Sequence, residues 1–437
     1  MKIGIIGLGF VGLSFASVLS SKGYKVIGVD SDKVKVTQIL SGKAPFHEPD
    51  LDQTLQKGLK NGLVVTDDLH QVVETCDLIF ITVGTPQQKS GSIDLAMIKT
   101  VSEKIGKILA KTKNVPAIII KSTVVPGTTI DVVLPILEKH AKKKAGKDFG
   151  LITNPEFLRE TNAIRDTIHP HVVVIGSYND KFTKKVERFY VGFHSNVPVV
   201  KTNHQTAEMI KYANNSFLAT KISFINQIAK ICEAVPGANV DDVARTIGLD
   251  PRIGNLFLSA GPGYGGSCLP KDVKAIIDFS RQCGVGSPLL GAVELINNEQ
   301  LLSMISIIKK KIGTIKGKTI TVFGLAFKPD TDDVRDSVSI KMIELLLKKG
   351  AKIIAHDPKA IENARAILNS RIKYTESIKD ALRGSHCAVI MTAWKQYAKL
   401  NDKDFKIMKK NLIIDSRRIL ADKKLKSKYY AIGIGNN

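Results

Sequence analysis

Cysteine is scarce and scattered in this chain: five in 437 residues, at positions 76, 232, 268, 283 and 387. Those spacings make no disulfide framework, and no CxxC pair or Cys/His cluster offers a zinc site. No bound metal and a reducing, cytoplasmic setting are therefore expected. Long apolar runs are absent as well; none reaches the roughly 18 residues of a membrane span. Acidic residues are in deficit, 41 against 64 lysines and arginines, for a net charge of +23. Such a surplus suits nucleic acid, a membrane surface or small anionic ligands. The lysines, however, come in short groups such as those at 142–144 and 309–311, and aromatics make up only 6% of the chain. With no basic tail and no aromatic interleaving, a solvated lysine-rich surface is expected, with neither nucleic acid nor membrane as partner.

What is present is the composition of a folded protein, 43% apolar and 24% charged. The length calls for two or three domains. The N-terminal MKIGIIGLGFVGLSFASVLSSKG has the outline of a signal peptide, but its glycines and the following YKVIGVD read instead as strand, turn, helix and second strand. Gly7, Gly9 and Gly12 form a GxGxxG turn after the apolar run Ile3 to Ile6. Gly7 makes the tight turn, Gly9 admits a pyrophosphate to the backbone, and Gly12 allows helix–strand packing. Leu8, Phe10 and Val11 fill the intervening positions of that turn. Asp30 ends the next strand, where a carboxylate binds the adenosine ribose and favours NAD over NADP.

The alternation continues through 76–86, 115–128 and 171–176, with Thr85, Pro86, Ser122 and Thr123 past strand carboxyl ends, the edge where open parallel sheets collect ligands. Ser122 reads as an ordinary turn residue. Residues 317–358 repeat the plan of strand, glycine turn, helix, strand and acid, but the turn has lost its fingerprint and carries Phe327, Lys328 and Arg335. Such a turn suits a phosphorylated, base-bearing ligand; a solvated Lys328 and a core Phe327 fit the pattern equally. Between the halves lies a helix-patterned stretch of about 30 residues without Pro or Gly, long for a globular helix. It suits a connector or a dimer interface. On it Lys211 and Asn215 share one face, as a solvated stripe also would. The expected fold is α/β: two Rossmann-like, doubly wound domains, 1–202 and 301–437, joined by a central helical domain, 203–300, with a long connecting helix.

AGPGYGGSCLPKD (260–272) sets Cys268 between loop glycines and a helix start at Pro270. The partial positive charge there favours a thiolate, and the glycines admit a ligand to the backbone. In an NAD protein a nucleophilic cysteine can add to an aldehyde, pass hydride from the thiohemiacetal, and release a carboxylate from the thioester. That scheme needs a cation for the oxyanion and a carboxylate to activate water. TNPEFLRE (153–160) offers carboxylates: Asn154 as cap and Pro155 as first helical residue would place Glu156 and Glu160 on one helix face. Acids in a first turn also serve the helix dipole alone.

The stretches GLGFVG, VGTP, KSTVVPGT, NPEFLRE, AEMIKYANNSF, DPRIG through PKD, GLAFKPDTDDVRDS and DSRR, in this order, resemble the UDP-glucose/GDP-mannose dehydrogenase family of nucleotide-sugar 6-dehydrogenases. The likeness covers nearly the whole chain. It implies oxidation of a nucleotide-sugar C6 alcohol to the acid with two NAD+ and no metal. Cys268 would be the nucleophile, Lys211 the oxyanion's partner, and Asn215 and Asp272 the holders of the reacting oxygen or its water. Glu156 would assist thioester hydrolysis and Thr123 would order a water. Gly7 to Gly12, Asp30, Lys35, Thr85, Thr123, Glu160, Lys271 and Arg335 would contact NAD. The sugar nucleotide would meet Glu156, Phe157, Leu158, Arg159, Lys211, Asn215, Tyr264, Gly265, Phe327, Lys328 and Arg417. Arg252 would reach a neighbouring subunit's site, implying a homodimer or higher homo-oligomer. SCLPKD is similar to the GDP-mannose branch and DPRIG with Arg252 to the UDP-glucose branch. UDP-glucose is the expected substrate, GDP-mannose the alternative, and a basic nucleic-acid-binding or redox-sensing protein on a dinucleotide fold the alternative of another class. HEPDL (47–51) departs from the family's EPGL and suggests no function.

Overall fold

The computed structural model describes every residue except Ser195, Lys424, Asn436 and Asn437, and the chain divides into two compact units, Met1–Asn214 and Asn215–Asn437. Among the described residues of the first, eight strands are β1 (Lys2–Ile6), β2 (Lys25–Val29), β3 (Val64–Thr66), β4 (Leu78–Ile81), β5 (Ala117–Ile120), β6 (Gly150–Thr153), β7 (Val173–Gly176) and β8 (Val199–Thr202). They form one sheet in the order β3-β2-β1-β4-β5-β6-β7-β8, parallel from β3 to β6 and antiparallel between β6 and β7. Runs such as LIFI in β4 and AIII in β5 are buried throughout, as strands covered on both faces must be. Ile3, Ile5 and Phe80 pack on one face, and Ile6, Ile79 and Ile81 on the other.

In the second unit β9 (Thr319–Phe323), β10 (Lys352–His356), β11 (Lys373–Tyr374), β12 (Cys387–Ile390), β13 (Leu412–Asp415) and β14 (Lys428–Ala431) form a parallel sheet in the order β11-β10-β9-β12-β13-β14. Three helices lie before it in the chain, Val240–Gly248, Leu269–Gln282 and Pro288–Ile312. The predicted long helix runs His204–Ala234, and the division between the units falls within it. Among the described residues no helix is long and apolar enough to cross a membrane.

The internal repeat survives in hydrogen bonds as well as in sequence. Gly7 N donates to Val29 O and Gly324 N to His356 O, each tying a left-handed glycine turn to the neighbouring strand. Leu8 N donates to Asp30, and Leu325 N and Ala326 N donate to Asp357. The two halves part after that. The first turn opens directly on the helix Phe10–Ser21, whereas residues 324–337 run as a loop before the helix Val338–Lys348. Asp357 also accepts from Lys359 N, Ala360 N and the Trp394 indole, so its carboxylate is consumed by the fold.

The long helix begins beside a π-helical turn, Thr128–Val133. There the buried Glu208 accepts from Gly127 N, Thr129 N and the Thr129 hydroxyl. Burial outweighs these donors and raises the Glu208 carboxyl from 4.5 to about 7. A raised carboxyl contributes stability that is complete below its ordinary value and lost as pH rises through the folded one. The first unit should therefore lose about 3 kcal/mol between roughly pH 5 and 8 from this group. Urea midpoints measured across that range should fall in the native chain and follow a flatter course in Glu208→Gln.

Candidate active site

In the first unit the dinucleotide elements assemble as the sequence predicts. A Cβ on Gly12 would lie 1.9 Å from Gly7 O, and one on Gly9 would meet nothing within 4 Å. Gly12 is thus required by helix–strand packing, and Gly9 leaves open backbone at the start of the helix Phe10–Ser21, the arrangement a pyrophosphate needs. Burial works to raise the Asp30 carboxyl, but the Lys35 ammonium at 2.9 Å and the amides of Asp32 and Leu8 prevail and hold it below its usual range. The pair Asp30–Lys35 thereby stands ionised at the end of β2. Thr85 donates to Thr123 O at 2.8 Å, which fastens the loops after β4 and β5 to each other. Ser122 donates to Val83 O at 2.7 Å, the turn role expected of it.

The predicted helix at 154–160 does not form; residues 154–162 are irregular and the helix begins at Ala163. The Asn154 side chain caps nothing. Its Nδ2 donates to Val174 O at 2.7 Å, and its Oδ1 accepts from the Tyr190 hydroxyl and from Lys121 Nζ at 3.0 Å. With the cap withdrawn, Glu156 and Glu160 do not share a helical face. Glu156 instead folds back onto Leu158 N and meets Lys211 Nζ twice, through its carbonyl at 2.6 Å and its carboxylate at 3.1 Å. The Lys211 and Glu156 side chains are 5% and 8% exposed. In so dry a place, removal of either partner costs about 3–5 kcal/mol. Phe157 lies under the same ammonium, 5.4 Å from its ring centroid, while Arg159 turns to a bidentate pair with Asp166.

Sequence reading missed two groups here. Glu48, in the HEPDL stretch, is buried and accepts from Thr161 N and Ala163 N, both at 2.7 Å. It fastens the far end of the irregular segment that Asn154 fastens at the near end. Lys121 is buried as well, and burial takes it down to about 8. Only an apolar surrounding marks it in sequence, directly after the strand AIII.

In the second unit Cys268 stands at the N-cap of the helix Leu269–Gln282, with Pro270 in its first turn. It is exposed, with the Ser267 hydroxyl 3.5 Å from its sulfur. Burial, by contrast, pushes the Cys76 thiol up to about 11 and the Cys387 thiol higher still. Asp272, one turn on and buried, accepts from Asn215 Nδ2 at 2.6 Å and from Lys271 Nζ at 2.5 Å. The loop glycines are occupied by the protein's own groups. A Cβ would strike Arg417 at Gly261, Asn297 at Gly263, Asp336 O at Gly265 and the Phe327 ring at Gly266, all within 2.8 Å. They admit neighbouring loops, so the expectation that all of them open the backbone to a ligand is corrected. Tyr264 is core, packed with Ala219, Val273 and Val293. Lys328 lies 5.5 Å from the Phe327 ring centroid, and Arg417 donates to Met391 O while burial draws its guanidinium down to about 10. Arg335 is paired with Asp333. Arg252 stands apart from these, 87% exposed and held by Asp250.

A sheet that ends in an open glycine turn, a helix N-terminus and a strand-end acid held below its usual range is the arrangement of a dinucleotide-binding domain, the class of NAD-binding proteins. Profiles of the UDP-glucose/GDP-mannose dehydrogenase family match three stretches: the NAD binding domain at residues 1–194, the central domain at 205–299 and the UDP binding domain at 321–422. UDP-glucose 6-dehydrogenase AglM of Haloferax volcanii is 40% identical over 96% of this chain and 97% of its own. UDP-glucose 6-dehydrogenase TuaD of Bacillus subtilis is 39% identical over 99% and 93%. A solved UDP-glucose dehydrogenase from Pyrobaculum islandicum superposes with a TM-score of 0.93 at 32% identity, covering 99% of this chain and 98% of that one. The chain belongs to the UDP-glucose/GDP-mannose dehydrogenase family.

The two glycines of the turn separate fold from cofactor. Gly12→Ala should destabilise the chain by about 2 kcal/mol or more, because Gly7 O blocks the new methyl. Gly9→Ala should leave stability within about 0.5 kcal/mol yet raise the NAD+ dissociation constant by about tenfold. Chemical denaturation and titration calorimetry on the two variants check both expectations.

Proposed function

We propose that the chain oxidises the C6 alcohol of UDP-glucose to the carboxylate, using two NAD+. The observation that carries this reading is Cys268, exposed at a helix start whose first turn holds Asp272 to Asn215 and Lys271. The first oxidation takes a hydride and a proton from the alcohol and leaves an aldehyde. Cys268 thiolate adds to the aldehyde carbon; loss of a second hydride from that carbon gives the thioester. Water then attacks, the thiolate leaves, and the acid forms. NAD+, held by Gly7 to Gly12, Asp30, Lys35, Thr85, Thr123, Glu160, Lys271 and Arg335, supplies the hydride acceptor.

In the first unit, Lys211 is the cation for the oxygen that turns anionic, and Glu156 takes the proton of the attacking water, with Thr123 helping to order it. In the second, Asn215 and Asp272 hold the reacting oxygen or water. Phe157, Leu158, Arg159, Gly265, Phe327, Lys328 and Arg417 belong to the sugar-nucleotide contacts. Tyr264, whose ring is core and whose backbone N–H and carbonyl pair with Asn297, is counted with them as a residue of the same loop. The functional division is read as 1–202 for NAD, 203–300 for the central helices and 301–437 for the sugar nucleotide.

UDP-glucose is supported by the names of the relatives and by Arg252 in DPRIG. Leu269, the feature shared with the GDP-mannose branch, packs against the Tyr264 cluster and is explained there by packing. A homodimer is supported by Phe217, Phe224 and Ile231, all exposed on the long helix at seven-residue spacing, the seam of a two-helix contact. Arg252 reaches the neighbouring site in that assembly, and the enzyme works in the cytoplasm.

Limiting UDP-glucose should yield about two NADH per molecule, with GDP-mannose silent in a parallel assay. Two NADH from GDP-mannose and none from UDP-glucose would reverse the assignment. Phe224→Asp should lower the mass found by sedimentation equilibrium to that of one chain; an unchanged mass would remove the stripe from the interface.

A further inference from the structure

Lys121 is a buried ammonium that the proposed chemistry does not use. It lies at the carboxyl end of β5, and its partners are neutral oxygens: Asn154 Oδ1 at 3.0 Å and the Tyr190 hydroxyl at 3.4 Å. The Phe15 and Tyr190 rings lie 5.1 and 5.9 Å away. Among the described residues it has no carboxylate within 4.0 Å. A lysine kept in so dry a place without an ion pair is costly to the fold and invites a reason.

The reason lies two residues beyond Asn154. Asn154 can accept from Lys121 and Tyr190 only by turning its side chain inward, and that turn withdraws the cap from the segment that follows. Residues 154–158 then run irregularly, which is what brings both the carbonyl and the carboxylate of Glu156 onto Lys211. Glu156 is thus flanked by two buried ammoniums. Lys211 touches it, and Lys121 bears on its backbone through Asn154, two residues before it.

We propose that Lys121 is a positioning residue for the hydrolytic half of the reaction: it fixes the backbone from Asn154 to Leu158 and so sets Glu156 for the attack of water on the thioester. This rests on Glu156 acting as the base in that step. Hydride removal precedes the step, so the number of NADH formed in the first turnover does not depend on Lys121, while the rate of that burst follows whatever shift reaches Lys211 and Phe157.

The test is pre-steady-state formation of NADH from UDP-glucose by Lys121→Met, with Lys121→Arg and Glu156→Gln in parallel. In Lys121→Met a burst of about two NADH per site should remain, followed by a steady rate lowered by about 10- to 100-fold, the scale of a small misplacement. Lys121→Arg should recover much of the steady rate, because a cavity of about 40 Å³ lined by Lys121, Asn154 and Glu156 gives the larger cation room. A normal steady rate in Lys121→Met, or equal loss in Met and Arg variants, would overturn the proposal. If Lys121→Met does not fold, Tyr190→Phe takes its place: it removes the other donor to Asn154 and should show a smaller loss of the same form. A Tyr190→Phe steady rate equal to the native one would then count against the clamp. Glu156→Gln separates the two claims: if it shows no burst followed by stalling, the base assignment itself fails, whereas stalling there without stalling in Lys121→Met defeats only the role of Lys121.

Discussion

A single asparagine side chain decides the course of the segment on which the proposed hydrolysis depends. Asn154 follows the buried strand β6 and precedes a proline, the setting of a helix start. It faces inward because Val174 O, Lys121 and Tyr190 offer it three buried hydrogen bonds, and a polar group taken out of water must be satisfied. Once it is spent there, the next eight residues form no helix. Lys211 and Glu48 then hold what would otherwise be a loose loop, one at Glu156 and the other at Thr161 and Ala163. An enzyme that needs a carboxylate in a fixed place gains more from a segment clamped at both ends than from a short helix.

The second unit meets a similar need by close packing. Its glycine loop is crowded by Arg417, Asn297, Asp336 and Phe327, so residues far apart in sequence are brought to the stretch that leads into Cys268. Asp272 then holds Asn215 and Lys271 in one network. Glycine serves here to let protein groups interlock, and Cys268 stands at the end of a well-supported loop.

Much of this was legible in the sequence. Buried strands with no polar face, the turn Gly7 to Gly12 with Asp30, the long helix and the helix start after Cys268 all follow from local pattern, and all formed where pattern put them. The failures share a physical cause. The helix at 154–160 was lost to hydrogen bonds from Lys121 and Tyr190, residues 33 and 36 positions away from Asn154, which no local window contains. Glu48 lies more than a hundred residues from the amides it holds. In 317–358 the echo of the first half was real, but its acid, Asp357, is saturated by five donors. Pattern identifies a carboxylate at a strand end; it does not say whether the fold has already used it.

The proposed chemistry turns on an acyl group carried by Cys268 and released with the help of Glu156. Its most direct test is the mass of the Cys268 peptide after Glu156→Gln is mixed with UDP-glucose and NAD+ and quenched in acid. The account predicts that this peptide gains the mass of the nucleotide-uronyl group, and that the gain is absent when NAD+ is omitted. An unmodified Cys268 peptide in a variant that has formed NADH would contradict it.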